Sequence, residues 1–216
     1  MSSLSLIDEL IGALKEKYDK ERKGCHISDI CLCPRESVFR RLNPSALSTM
    51  DFMFFIMGSG QHDVIQSLRH WLGNKRMITE KSISYKSVRG HVDAIIDDVV
   101  VEIKTQRTKE HSLKSHYVTQ IKSYMAMLNR KFGKVFTISL VNYNTPFKIW
   151  DITMTDEEIT KQREWIEQEG KQYRKALRMK DWKIARAVKG TELDWKCGYC
   201  KFKQPCFEYE ESKQYK

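Results

Sequence analysis

Asp93, Glu102 and Lys104 have the types and spacing to bind a metal ion and act on a phosphate. Two apolar, β-branched runs meet at Asp97-Asp98, and aspartate tolerates tight turns, so residues 90–105 read as a β-hairpin. With those two residues as the loop, antiparallel pairing places Ile96 opposite Val99, Ala94 opposite Val101 and Asp93 opposite Glu102. Like charges facing each other on a ladder repel, and these sit among Val and Ile rather than among solvating residues. A divalent cation between them turns that cost into a binding site. Lys104, two residues beyond Glu102, shares its face of the strand. Hard oxygen ligands filling only part of a coordination shell suit Mg²⁺ or Mn²⁺, which keep waters and accept a phosphate oxygen. The plainer reading is an edge hairpin with a charged outer face, and a bulge or a longer turn would change the register.

The elements that must position this hairpin follow from periodicity and breakers. Residues 4–20 carry Leu6, Ile7, Leu10, Ile11 and Leu14 at helical spacing and read as a core-packing amphipathic helix. Ser28 or Asp29 is placed to cap a short helix, and Pro34 to begin the next. The strongly apolar residues 50–71 read as a long buried helix in which Gly58 and Gly60 permit close approach of another backbone. His62 lies on that helix, where a buried, hydrogen-bonded histidine is its ordinary role. Residues 77–85 form a strand leading into the hairpin. A helix over 109–130 carries His111, His116, Gln120 and Tyr124, the last two stacked four apart on one face. Beside a metal site that pair can hydrogen-bond a phosphate, a base or a catalytic lysine. Strands over 135–141 and 147–154 are linked by Asn142-Tyr143-Asn144-Thr145-Pro146. Thr155-Asp156-Glu157-Glu158 resembles a capping box opening a long charged helix that runs to about residue 179.

The 216 residues suit one domain with a substantial core, and no Pro/Gly-rich linker divides them. Lys and Arg number 38 against 28 Asp and Glu, a net charge of +10, and the pI is near 9.3. That balance favours a polyanionic partner such as nucleic acid. Apolar runs are broken by charge within a few residues, which leads us to expect no signal peptide or membrane span and a cytoplasmic location.

Six cysteines fall in two groups, Cys25, Cys31 and Cys33 near the start and Cys197, Cys200 and Cys206 near the end. The second group has C-x₂-C-x₅-C spacing, which leaves one tetrahedral ligand missing. Cys33 or Cys31 can supply it, clamping the two ends of the chain together in a long loop closure. Zinc and an iron-sulfur cluster both suit four thiolates.

Together these motifs resemble the RecB-like nucleases of the PD-(D/E)xK superfamily, and within them the CRISPR-associated protein four family. The matching pieces are Gly58-Ser59-Gly60-Gln61-His62, Gly90-His91-Val92-Asp93, Glu102-Ile103-Lys104, Gln120-x-x-x-Tyr124, Ser28-Asp29-Ile30-Cys31-Leu32-Cys33-Pro34-Arg35 and the carboxy-terminal cysteines. Their order and spacing fit from about residue 26 to 206. In the family pattern the cysteine just before Pro-Arg is the amino-terminal ligand, which assigns Cys33 and leaves Cys25 and Cys31 extra.

The resemblance implies an α/β fold, a mixed central sheet flanked by helices, in a single nuclease domain. Its core would span 50–180, with 1–49 and 181–216 forming a helical cluster lobe over the active site. It implies a 4Fe-4S cluster on Cys33, Cys197, Cys200 and Cys206, a 2Fe-2S cluster also fitting four thiolates. It further implies a metal-dependent 5′ to 3′ exonuclease on single-stranded DNA that trims spacer ends beside the CRISPR integrase complex. On this reading Asp93, Glu102, His62 and the Ile103 carbonyl hold Mn²⁺ or Mg²⁺, Lys104 acts on the attacking water or the phosphorane, and Gln120 and Tyr124 position Lys104 or the DNA. An imidazole ligand favours Mn²⁺. Two other readings stand beside it: a stand-alone, viral or cellular, recombination or repair nuclease of the same chemistry, and a non-catalytic nucleic-acid-binding module. Intact Asp, Glu and Lys argue against the last.

Overall fold

A computed structural model describes residues 23–44, 49–67 and 73–214, with 9, 12, 13 and 16 as isolated positions before them. The helix expected over 4–20 lies outside the described residues. The chain runs β1 (Cys25–His26), α1 (Ile27–Cys31), α2 (Pro34–Leu42), α3 (Thr49–Ser67), β2 (Met77–Tyr85), β3 (Val88–Ile96), β4 (Val99–Gln106), α4 (Ser115–Leu128), β5 (Phe132–Ser139), β6 (Phe147–Thr153) and α5 (Asp156–Met179). Two 3₁₀ turns (Trp182–Ile184 and Asp194–Tyr199) and α6 (Lys203–Gln214) follow.

The strands form one mixed sheet in the order β1-β3-β4-β5-β6, with β2 also on β3. β1/β3 and β4/β5 are parallel and the other pairs antiparallel. Side-chain alternation sends Ile95, Val100 and Val135 to one face, where Ile121, Met125, Ile166 and Tyr173 of α4 and α5 bury them. Ala94, Val101, Ile103 and Ile138 go to the other, against Ile65 of α3. The result is the expected α/β layering, a mixed sheet with helices on both faces.

Local chemistry accounts for most boundaries. Asp97 takes a left-handed φ of 54° in the two-residue β3–β4 turn, the conformation that aspartate tolerates there. Thr155 caps α5 in a full capping box with Glu158, and Pro34 occupies the first turn of α2.

Five expectations need correction. Residues 109–114 are not helical, because α4 begins at Ser115; the eight residues 107–114 of extended and turning chain after β4 carry it back onto the sheet. The burial expected of α3 is not seen among its described side chains, of which Met53, Met57 and Val64 are exposed and Ile56 and Ile65 half-buried, and no described atom comes within 4 Å of a Cβ built on Gly58 or Gly60. The cap of α1 is His26, with Asp29 inside the helix at the third position, where its carboxylate accepts from the His26 amide at 2.9 Å. β5 runs from Phe132 to Ser139, starting three residues and ending two residues earlier than its expected range, because its parallel pairing follows β4 from Val100 to Gln106. Finally, the β3–β4 ladder keeps the expected pairs Ile96/Val99, Ile95/Val100 and Ala94/Val101 but does not extend to Asp93/Glu102.

Candidate active site and cysteine-lined pocket

At Asp93 the side-chain alternation of β3 changes, although its register with β2 is the same on both sides, and the β4 ladder does not reach that residue. Ile95 faces the α4 side of the sheet, yet so do Val92 and Val88, which have the opposite parity. Opposite this change, Glu80 of β2 has a φ of 49°. An irregularity of this kind re-aims a side chain, and here the Asp93 carboxylate turns toward β4 and accepts a hydrogen bond from the Ile103 amide at 2.7 Å. Asp93 and Glu102 are therefore both near Lys104 and Tyr124, Asp93 held there by the Ile103 amide rather than by a ladder pair with Glu102.

Glu102 is 1% exposed, and its carboxylate forms an ion pair with the Lys104 ammonium. Burial works against the charge on Lys104, but Glu102 and then Asp93 outweigh it and hold the ammonium above its ordinary range. The same ammonium stands 5.6 Å from the centre of the Tyr117 ring.

α4 lies across this group. Gln120 donates to the Tyr124 hydroxyl at 3.0 Å, so the two share one helical face as their spacing predicts. Burial, reinforced by the nearby Glu102 charge, pushes the Tyr124 phenol far up and keeps it neutral. Its ring packs over Gly90 so closely that a Cβ there would stand 2.7 Å from Tyr124 Cε1. His62 falls within α3, and its side chain lies outside the described residues.

Among the described residues no three His, Cys, Asp or Glu side chains gather to hold a metal ion. Two carboxylates on adjacent strands still fit the partial, all-oxygen shell that Mg²⁺ or Mn²⁺ takes when water and phosphate complete it.

The cysteines separate cleanly. Cys33, at the amino end of α2, lines one pocket with Cys197, Cys200 and Cys206. Arg35 donates to Cys206 Sγ at 3.4 Å and to Glu210 at 2.5 Å, while Lys196 pairs with Glu36 at 2.9 Å. Burial raises the Cys33 and Cys200 thiols, and burial with the Asp194 side chain pushes Cys197 up to about 11. Cationic metal is the natural compensation for thiolates so placed. Cys25 and Cys31 are buried in the core, Cys31 close enough to Glu102 that burial and then that carboxylate raise its thiol.

Residues near the site that the sequence did not single out are Tyr117, Lys114 and Trp195, together with His116, which was placed on the helix without a role. Tyr117 sits three residues before Gln120 on the inner face of α4, a spacing that could have revealed it. Trp195 meets α4 only through the fold, and no local signal marks it. Burial, followed by the charges of Lys114, Lys104 and Lys196, lowers His116 to about 4, leaving its ring neutral.

No helix among the described residues is long and apolar enough to cross a membrane. The family model of the PD-(D/E)XK nuclease superfamily matches residues 45–207. No curated protein matches the sequence. Among solved structures, the chain is similar to a protein designated SSO0001, with 19% identity, a TM-score of 0.61, and 91% of this chain and 93% of that one covered. It is also similar to an alkaline exonuclease of Laribacter hongkongensis, with 15% identity, a TM-score of 0.50, and 75% and 95% covered. A phage-related exonuclease of Haemophilus somnus 129PT follows, with 11% identity, a TM-score of 0.50, and 74% and 98% covered. At such identities these likenesses speak to the fold, whereas the family match extends across both Asp93 and the Glu102–Lys104 strand. The chain belongs to the PD-(D/E)XK nuclease superfamily and is a metal-dependent nuclease.

Proposed function

We propose that the protein is a deoxyribonuclease that degrades single-stranded DNA from its ends, in the 5′ to 3′ direction, with Asp93, Glu102 and Lys104 as its reacting centre. The observation that carries this reading is the convergence of a buried Glu102, its Lys104 partner and the re-aimed Asp93 carboxylate beneath Gln120 and Tyr124. Asp93, Glu102, the Ile103 carbonyl and His62 would hold Mn²⁺ or Mg²⁺. The bound ion supplies Lewis acidity toward the scissile phosphate and lowers the pKa of a coordinated water. Lys104, held charged by its two carboxylate neighbours, orients the attacking water and stabilises negative charge on the phosphate. Gln120 and the neutral Tyr124 phenol hydrogen-bond Lys104 or the strand and fix its approach. The net charge of +10 supports DNA as substrate, and the exonucleases of similar fold support attack at ends.

Cys33, Cys197, Cys200 and Cys206 would carry a 4Fe-4S cluster that joins the terminal segments, 1–49 and 181–216, into a lobe over the 50–180 core. Four thiolates on one zinc stand about 3.8 Å apart, whereas in an iron-sulfur cube each binds its own iron and they spread wider. What supports a shared ligand is that Cys33, from one end of the chain, lines one pocket with Cys197, Cys200 and Cys206 from the other. The motif resemblance supports a role in CRISPR spacer acquisition beside the integrase complex. The phage-related exonuclease of similar fold supports a second reading, a stand-alone recombination nuclease with identical chemistry.

The test is cleavage of 5′- and 3′-end-labelled single strands by anaerobically purified protein with Mn²⁺, Mg²⁺ or EDTA, beside Glu102→Ala. We expect metal-dependent shortening from the 5′ end, lost in the variant by at least about a thousandfold, with iron content unchanged. Full activity in Glu102→Ala would remove Glu102 from the centre. Copurification with the integrase separates the two pathways.

A further inference from the structure

A line of aromatic rings leads outward from Lys104. Tyr117, 5.6 Å from the Lys104 ammonium, meets His116 edge-on with ring centres 4.4 Å apart. His116 lies 5.9 Å from Trp195, and Trp195 lies 6.5 Å from Tyr199, on the 3₁₀ turn that also carries Cys197. Tyr117 is buried at the inner end, but Trp195 is 46% and Tyr199 80% exposed. Lys114 stands 5.7 Å from both the Tyr117 and the Trp195 rings.

Large rings exposed in sequence beside cations are what a single strand uses, since every base has a face to stack and every phosphate a charge to neutralise. The rings are tilted to one another, by 42° between His116 and Trp195 and by 65° between Trp195 and Tyr199, so each offers a separate face instead of stacking on its neighbour. Two further observations point to a missing anionic or hydrogen-bonding ligand. His116 Nδ1 is buried without a hydrogen-bond partner, and the charges of Lys104, Lys114 and Lys196 converge on that ring. The one acidic side chain at this turn, Asp194, is engaged with Cys197.

We propose that His116, Trp195 and Tyr199 form a stacking platform for the bases of a single strand, with Lys114 on its phosphates, running from the Glu102–Lys104 centre to the turn that carries Cys197. The proposal rests on the nuclease reading above and adds the face that the strand follows. An acidic protein segment on this face is the competing occupant, and the test distinguishes it.

Binding of a fluorescein-labelled oligothymidylate to the whole protein, measured by anisotropy in a Glu102→Ala background without Mn²⁺, reads the platform directly. Trp195→Ala and Tyr199→Ala should each weaken binding by about tenfold, and Trp195→Phe should keep most of it. Oligothymidylate should quench the tryptophan fluorescence of the parent and quench Trp195→Phe much less. Iron content and circular dichroism report whether Trp195→Ala retains its fold; if it does not, the largely exposed Tyr199 and the quenching difference decide. Binding by Tyr199→Ala as tight as the parent's, together with quenching of Trp195→Phe equal to the parent's, overturns the platform and leaves a protein partner for this face. Hydrolysis of a chromogenic aryl phosphodiester by the unmodified protein with Mn²⁺ tests the nuclease centre separately. A protein inert in that assay whose oligothymidylate binding still depends on Trp195 would overturn the nuclease reading and keep the platform.

Discussion

Asp93, Glu102 and Lys104 stand on strands tied into a sheet by main-chain ladders, and the residues above them come from a single helix packed on that sheet. Cys33, Cys197, Cys200 and Cys206 stand on the end of one short helix, a 3₁₀ turn and a carboxy-terminal helix, held by side-chain contacts such as Arg35–Glu210 and Lys196–Glu36. The first arrangement is organised by burial before any ligand arrives. The second joins distant parts of the chain around Phe39, whose ring stacks on Trp182 and Phe202, and on the cluster proposal it would depend further on the ligand of its thiolates. If both proposals hold, preorganisation lies where charge must be positioned for reaction, and ligand-dependent closure at the cysteine pole.

The sharpest way to break this contrast is Cys33→Ser. On the proposal that the four thiolates hold one cluster, the variant should lose iron and about 4 kcal/mol of stability in urea denaturation, yet retain metal-dependent cleavage in the cold. Simultaneous loss of both at low temperature would show that the two poles form one unit. Next in size is Gly90→Ala, on the other side of the comparison. The new methyl would press on the Tyr124 ring from 2.7 Å, so it should cost about 1–3 kcal/mol and lower kcat while leaving iron content unchanged. Tyr124→Phe removes only the hydroxyl that accepts from Gln120, and we expect kcat to fall about tenfold with the urea midpoint nearly unmoved. The smallest effect is on pH dependence. His116 titrates at about 4 in the folded protein against about 6.5 unfolded. The unfolded chain then binds the extra proton between those values, so stability falls as pH drops through that window and is flat in this respect above it. Urea titrations of His116→Gln should show a shallower decline there than the parent.

How far the sequence disclosed these regions depended on whether a contact was local. The β3–β4 register was readable because β-branched alternation and an Asp-Asp turn leave one natural pairing, and the Thr155 capping box because its signal lies within four residues. Gln120 and Tyr124 were readable as one helical face. The change of alternation at Asp93 was not, because it accompanies a left-handed φ at Glu80 on the neighbouring strand. α3 misled for a different reason: apolar residues at 52–57 look alike whether another layer covers them or solvent does, and Met53 and Met57 are exposed. The start of α4 was placed too early because residues 109–114 contain neither proline nor glycine to mark the boundary. Trp195 beside His116, like Tyr124 against Gly90, is a meeting of distant segments that only the packed chain shows.

The position of the last three thiols along the chain sets the order in which the two regions are completed during synthesis. Every strand of the sheet has been made by Thr153, and the long helix that covers it by Met179. Cys197, Cys200 and Cys206 follow only after that. Because a chain emerges amino-terminal end first, at about 5–20 residues per second, the carboxylate and lysine strands can pair and bury their apolar faces while Cys33 still waits for its partners. If the four thiols hold the proposed cluster, its ligand set is completed only after the strands of the sheet have been made, and iron supply would then bear on how long each new molecule persists rather than on whether its sheet is built.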